Sequence, residues 1–300
     1  MRVESRAYAR PKPNAVRRVR CAPCVAVSIF LTLVCPLAPA PARAAQSELT
    51  PLQQEIKVQT ARLSSSDAEE RRDAVMRLGA MRRPEASRAA AAALNDPAEI
   101  VRATAARAIL ALPAQEVADR LALLLGDKKE FVRREVAYAL GETRDYAAYA
   151  SLKLAVFYDK EASVRGAAAV AIGRIGDARA VPVLSMVLNR RLPGTGLVSR
   201  VTRAKSEENE FVRRAAAEAL GRIGSREGVP ALIDALNDRR AGGDVRREAA
   251  RALGLIGDPA AAPALRSVLT DRDPYLSRVA FEALRRLDPA TATRPAGGGS

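Results

Sequence analysis

The dipeptide Val-Arg opens five stretches of this chain, at positions 101, 132, 164, 212 and 245, and the residues after it are nearly the same each time. "FVRRAAAEALGRIGSREGVPALIDALND" (211–238) recurs as "DVRREAARALGLIGDPAAAPALRSVLTD" (244–271) and as "SVRGAAAVAIGRIGDARAVPVLSMVLN" (163–189). The dyads lie 31, 32, 48 and 33 residues apart, and nine residues after each valine come Leu110, Gly141, Gly173, Gly221 and Gly254. Counting back 31 residues from Val101 reaches Glu70-Arg71, with Gly79 nine further on; counting forward 31 from Val245 reaches Leu276. That makes seven units, the first and last degenerate. A repeat of this period is one supersecondary unit that cannot cover its own apolar face, so the chain must stack its units into a continuous core.

Each unit reads as two helices. The first, as in "VRREAARALGLIG", has apolar residues at i, i+4, i+7 and i+8 (Val245, Ala249, Ala252, Leu253). It is expected to stop at Gly254 and Gly257, where loose or left-handed backbone costs little. Asp145, Asp177 and Asp258 are placed to cap the next helix, and Pro182, Pro230 and Pro263 sit near its start, where a missing N–H is harmless. That second helix is expected to bury a pair four apart: Leu121/Leu125, Leu152/Val156, Leu184/Leu188, Leu232/Leu236 and Leu265/Leu269. Ser66-x-x-Glu69 reads as a capping box for the first full unit, and "TPLQQEIKVQTARL" (50–63) as a lone amphipathic helix closing the open end. Aromatics are 4% of residues and Trp is absent, so the core is built from small aliphatic side chains, which suits closely packed helices.

The Val-Arg dyad, the "A..AL" and Gly of the first helix, then "GD", Pro and the leucine pair resemble the HEAT-repeat family, specifically the HEAT-like repeats first associated with phycobilin lyase subunits. The resemblance covers residues 66–289. It implies an all-α fold, an α-solenoid of about seven two-helix repeats, whose usual role is to bind proteins. It also implies that Asp96/Arg102, Asp127/Arg133 and Asp159/Arg165 (six apart) and Asp238/Arg246 (eight apart) form a ladder of hydrogen bonds along the stack. Taken as exposed, such pairs are worth about 0–1 kcal/mol each. On that basis Leu232 should matter far more to stability than Arg213.

Residues 1–44 differ from the rest. A basic segment (Arg2 to Arg20) precedes the apolar "CVAVSIFLTLV" (24–34), and Ala42-Arg43-Ala44 supplies a small-x-small site, the layout of a secretory signal peptide cut after Ala44 or Ala45. An uncleaved anchor is the rival reading. Eight of the 49 basic residues and one of the 34 acidic residues lie in that segment, leaving 41 against 33, or +8, after cleavage. Cys21, Cys24 and Cys35 leave with it, so the mature chain holds no thiol, and the sequence has no His. The organisation expected is therefore signal peptide 1–44, capping helix 45–65, solenoid 66–289 and a disordered tail 290–300.

Without His or Cys, the usual zinc and non-haem iron ligand sets and the Ser-His-Asp or Cys-His nucleophile sites are not available. The phosphate-loop pattern is missing too. The resembled family includes bilin lyases, a hydroxylase that holds metal through His, and DNA glycosylases. The missing His argues against the second, and export against all three. No catalytic, cofactor or metal residues are assigned, and no cofactor or small-molecule substrate is expected. Two insertions interrupt the repeat at neighbouring unit boundaries: 190–209, with Arg190, Arg191, Arg200, Arg203 and Lys205, and 239–243, with Arg239 and Arg240. Both fall between a second helix and the next first helix, so they mark one rim as a candidate surface for an acidic protein partner. Phe131, Tyr138, Tyr146, Tyr149, Phe157 and Tyr158 crowd one unit, with Tyr146 and Tyr149 the candidates for exposure. The function expected is an exported, non-enzymatic scaffold that binds a protein in the bacterial envelope or outside the cell. The alternative is a basic solenoid binding a polyanion: an anionic envelope polymer, a lipid surface or nucleic acid. Interspersed acids and few aromatics for stacking weigh against nucleic acid. Membrane contact would come only from an uncleaved signal or weak electrostatics.

Overall fold

The first helices of the repeat and the second helices form two rows, and the first row is the tighter of the two. The computed structural model describes residues 49–193 and 205–287, without the side chains of 191–193 and 205–207. The signal-peptide and tail readings, and Arg200 and Arg203, lie outside the described residues. A leading helix α1 (Pro51–Arg62) precedes the seven first helices: α2 (Ala68–Ala80), α4 (Glu99–Ala108), α6 (Glu130–Glu142), α8 (Ala162–Ile175), α10 (Glu210–Ile223), α12 (Gly243–Ile256) and α14 (Pro274–Leu287). Between them run six second helices: α3 (Pro84–Ala90), α5 (Ala114–Leu124), α7 (Tyr149–Tyr158), α9 (Val181–Leu188), α11 (Val229–Asn237) and α13 (Ala262–Ser267). Each first helix packs on the next, α2 on α4 through to α12 on α14, as an all-α solenoid must. Among the described residues no helix is long and apolar enough to cross a membrane.

Glycine and alanine explain the tight row. A Cβ added to Gly79, Gly141, Gly173, Gly221 or Gly254 would come within 2.6–2.9 Å of Ala108, Ala171, Ala219, Ala252 or Ala283 on the following first helix. These glycines are inside their helices, so Gly254 does not end α12 as expected; it lets two backbones meet. The stop lies three residues later, where Gly176, Gly224 and Gly257 adopt φ of 74–76°. Arg82 and Arg144 hold the same left-handed position at φ 49° and 51°, at a cost glycine avoids. Between α4 and α6 the glycine register carries Leu110, and α4 ends two residues before it, at Ala108. That seam is the most sparsely packed of the row.

Local chemistry sets the remaining boundaries. Asp145, Asp177, Ser225 and Asp258 each accept the N–H two residues on and start a 3₁₀ turn that leads into the second helix. Pro182, Pro230 and Pro263 occupy the first turn of α9, α11 and α13. The capping box expected at Ser66 is not formed: Asp67 caps α2 by accepting from the Glu69 amide. The reciprocal box belongs to Thr50 and Gln53 at the start of α1. At the ends of α5 and α13 the second leucine of the pair lies just beyond the helix and is only half-buried, and Leu124 and Val268 take the core position one residue earlier. The buried pattern is therefore i, i+3, with i+4 joining where the helix continues (Leu184, Val187 and Leu188 in α9). α1 rests on α2 and α3 and buries Gln59, while Arg62 ties it to Asp73 at 2.8 Å.

Candidate functional site

Polar order along the edge where one unit passes to the next comes from the arginine of each dyad. The pairs spaced six residues apart do meet, but not carboxylate to guanidinium: Arg102 donates to the backbone oxygen of Asp96 at 2.7 Å, and its Nε and Nη2 donate to the Asp127 carboxylate at 2.7 and 3.0 Å. Arg133 likewise takes the Asp127 carbonyl at 2.8 Å and the Asp159 carboxylate at 2.6 and 3.0 Å. Each arginine therefore bridges its own junction to the following one. The series begins earlier than the dyads, with Arg71 on Asp96, and ends with Arg213 on Asp238 (3.2 Å) and Arg246 on Asp271 (2.8 Å). Contrary to the expectation from sequence, these groups are not exposed: the Arg133 and Asp159 side chains each keep only 7% of their exposure. Arg71 holds Asp96 below the usual carboxylate range, and Arg246 does the same for Asp271. Burial pushes Asp127 up, but the hydrogen bonds from Arg102 and the Lys129 amide outweigh it and leave the group lowered.

The long insertion enters this ladder. Asn189, at the fourth junction, has no carboxylate, and Arg165 instead binds Glu208 at 2.6 and 3.1 Å. The Glu208 side chain is fully buried and also receives Arg190 at 3.4 Å. A two-stranded antiparallel ribbon, β1 (Arg191–Pro193) paired with β2 (Lys205–Glu207), brings the chain back to this point. Leu192 faces Ser206 across it. The insertion thus returns the missing carboxylate to the stack.

The residues of the candidate rim divide by where they sit. Arg190 is committed to Glu208 and lies over the Phe157 ring at 5.6 Å. Arg191 and Lys205 are in the ribbon strands. Arg239 and Arg240 are exposed. Sequence reasoning misses that Arg239 has counterparts: Lys128, Lys160 and Arg272 also directly follow a ladder aspartate and are exposed. None of these four forms an ion pair with a described residue. The signal was present, since a basic residue follows four of the five ladder aspartates; Pro97 follows Asp96.

Tyr146 and Tyr149 are half-buried and stack on each other, with centroids 4.7 Å apart and planes at 18°. Arg179, held by Asp177 at 2.6 Å, lies 3.5 Å above Tyr146, so that face is already covered. Burial, reinforced by Tyr146 and Asp177, raises the Tyr149 phenol. Among the described residues the most exposed aromatics are instead Tyr158 (79%) and Tyr275 (62%), with Phe211 less so. The first-helix row has its own aromatics beneath arginines: Arg134 over Phe131, Arg174 over Tyr138, Arg214 over Phe211. A cleft of about 510 Å³ opens there between Arg107, Tyr138, Arg174 and Phe211, yet Arg107 is paired with Glu135 and Arg174 with Glu142.

The second-helix row is different. Two residues past the first leucine of each pair stand Leu123, Leu154 and Met186, at 82%, 60% and 55% exposure. Asp234 and Ser267 take that position in the last two second helices. Among the described residues no group of three or more His, Cys, Asp or Glu side chains is arranged to hold a metal.

A family model described as HEAT repeats matches residues 56–141, 87–156, 120–194 and 198–285. No curated protein matches. Among solved structures, the YibA protein of Escherichia coli aligns at 20% identity with a TM-score of 0.53, over 78% of this chain and 81% of that one. The complex of CpcE and CpcF of phycocyanin lyase from a Nostoc species aligns at 24% identity with a TM-score of 0.45, over 83% and 91%. Human deoxyhypusine hydroxylase in complex with glycerol aligns at 20% with a TM-score of 0.37, over 79% and 96%. The likeness to YibA is one of fold alone.

Proposed function

Since this chain belongs to the HEAT-repeat family, we propose that it is an exported, non-enzymatic scaffold holding an acidic protein partner along the edge where its units join. HEAT repeats suggest a protein-interaction scaffold in general. The observation that carries it is the repeated cation: Lys128, Lys160, Arg239 and Arg272 recur at four unit junctions, exposed and without a carboxylate partner among the described residues. Ladder aspartates beside them are already paired with the ladder arginines, so the outer cations face solvent as net charge. The layout of residues 1–44 supports export.

The test has two arms. The protein is recovered from its own cells by fractionation, and its N-terminus is sequenced; a start at Ala45 or Gln46 in the envelope or secreted fraction agrees with export, and an intact Met1 in the cytosol contradicts it. Crosslinking capture is then compared between wild type and the quadruple charge reversal K128E/K160E/R239E/R272E. Loss of the captured protein agrees with an acidic partner, and undiminished capture contradicts it.

A row of like charges also suits a polyanion, which is the second reading. Its binding would weaken steeply with salt, by roughly one counterion per neutralised phosphate. Binding to DNA or to phosphatidylglycerol vesicles with such a slope, and no protein capture, would favour it.

A further inference from the structure

We propose that the second-helix face of the second, third and fourth units is a docking groove for an acidic amphipathic helix, an inference that rests on the scaffold reading above and specifies its contact surface. Leu123, Leu154 and Met186 occupy the same register on three successive second helices and point out of the core, and Tyr158 extends the stripe one turn beyond Leu154. Large apolar side chains at a repeated exposed position mark an interaction surface more than scattered ones do. The stripe is local: the same register carries Ala92 before it and Asp234 and Ser267 after it.

Charge decides the class of occupant. The α7 and α9 sequences "YASLKLAVFY" and "VPVLSMVL" contain no acid, and their one charge is the exposed Lys153. Lys128 and Lys160 close the junction side of the stripe. On α5, Asp119 is exposed one turn before Leu123 and Glu116 is paired with Arg120, so the apolar row is bordered mainly by cations along α7, α9 and the junctions, whereas the first-helix face is largely neutralised by its own ion pairs.

Spacing favours a helix over an extended segment. Packed helices lie about 8–10 Å apart, and the second helices pack less closely than the first, so successive anchors stand at least about 10 Å from one another. Seven residues of α-helix rise about 10.5 Å and return to nearly the same face. A helix crossing the row with one apolar residue per heptad can therefore meet Leu123, Leu154 and Met186 in turn, and set its glutamates on Lys128, Lys153 and Lys160. Helix-in-groove recognition works by such regularly spaced anchors.

The experiment uses the full mature chain and fluorescein-labelled 21-residue peptides, read by anisotropy. One peptide has leucine at heptad spacing with flanking glutamates; controls replace the glutamates by lysine or the leucines by serine. The acidic amphipathic peptide should bind, and both controls should not. L154S/M186S should weaken binding about tenfold or more, the size expected for losing central apolar anchors. K128E/K160E should weaken it too, while L255S, an exposed leucine on the first-helix face, should leave it unchanged. Circular dichroism melts confirm that each variant is folded. No binding, equal binding of the lysine peptide, or full binding by L154S/M186S would overturn the proposal. Binding of phosphatidylglycerol vesicles that is insensitive to L154S/M186S and displaces the peptide would also overturn it in favour of a lipid surface. If wild type and L154S/M186S capture the same native partner equally, this groove is wrong and the scaffold reading survives; if wild type captures none, the scaffold reading falls first.

Discussion

Gly221 lies against Ala252 so closely that a methyl group on it would sit 2.8 Å from the alanine Cα and Cβ. Both partners are rigid helix positions, so neither can move aside. Glycine inside a helix normally costs up to about 1 kcal/mol relative to alanine, and in isolation Gly221→Ala would raise helix stability. Overpacking costs about 1–3 kcal/mol, and we expect it to win: Gly221→Ala should lower the melting temperature, measured by circular dichroism. The register of these glycines is visible in the sequence, nine residues after each valine, but there it suggests helix termination instead of close approach. A one-dimensional pattern shows that a small residue recurs; it does not show that the residue's neighbour lies in the next unit. Charge behaves the same way at Arg133. Its partner by sequence spacing is Asp127, yet the guanidinium takes the Asp127 carbonyl and reserves its fork for Asp159, 26 residues on. Because the pair is buried, removing one side leaves an unmatched charge, which costs about 3–5 kcal/mol. Arg133→Ala should therefore destabilise the chain about as much as Leu232→Ala, for which about 2–5 kcal/mol is expected. Parallel chemical denaturation of the two variants compares them.

Among the elements, the pairs of helices were legible because the 3.6-residue apolar period and the turn residues agree in most units. Boundaries were less legible. Asp67 rather than Ser66 caps α2, and α4 ends early enough to skip the glycine contact. The long insertion shows in the sequence only as a break in the repeat, since nothing local says that Glu208 will fold back onto Arg165. Asn189 was the available sign: it stands where the other junctions carry aspartate. The α4–α6 seam gives an element-scale prediction. It lacks the glycine approach and has the sparsest packing, so the units before it should open with less free energy than those after it. Native-state hydrogen exchange should show α2 to α4 exchanging before α6 to α12. Uniform protection across that seam would contradict the packing argument.

For the whole molecule, the ladder ties stability to pH. Asp96, Asp127 and Asp271 are lowered in the folded chain. A lowered carboxylate stabilises the fold fully above its unfolded value, about 3.9, and the benefit is lost as pH falls through the lower folded values. The melting temperature should therefore change little from neutral pH to about 5 and fall below about 4. Asp96→Asn should reduce that acid dependence. The candidate surface was half legible: the basic residues at 239–240 stand out in the sequence and Lys128 and Lys160 follow their aspartates at the repeat period, but the exposed Leu123, Leu154, Met186 stripe emerges only when units are laid side by side in space. No unit holds a core of its own, and its neighbours supply one. This dependence is tested most directly by far-ultraviolet circular dichroism of truncated chains. A chain ending at residue 238 should stay helical and melt lower than the full stack, while the single pair 210–238 alone should be unstructured. A helical, cooperatively melting 210–238 fragment, or complete unfolding of the longer truncation, would contradict it.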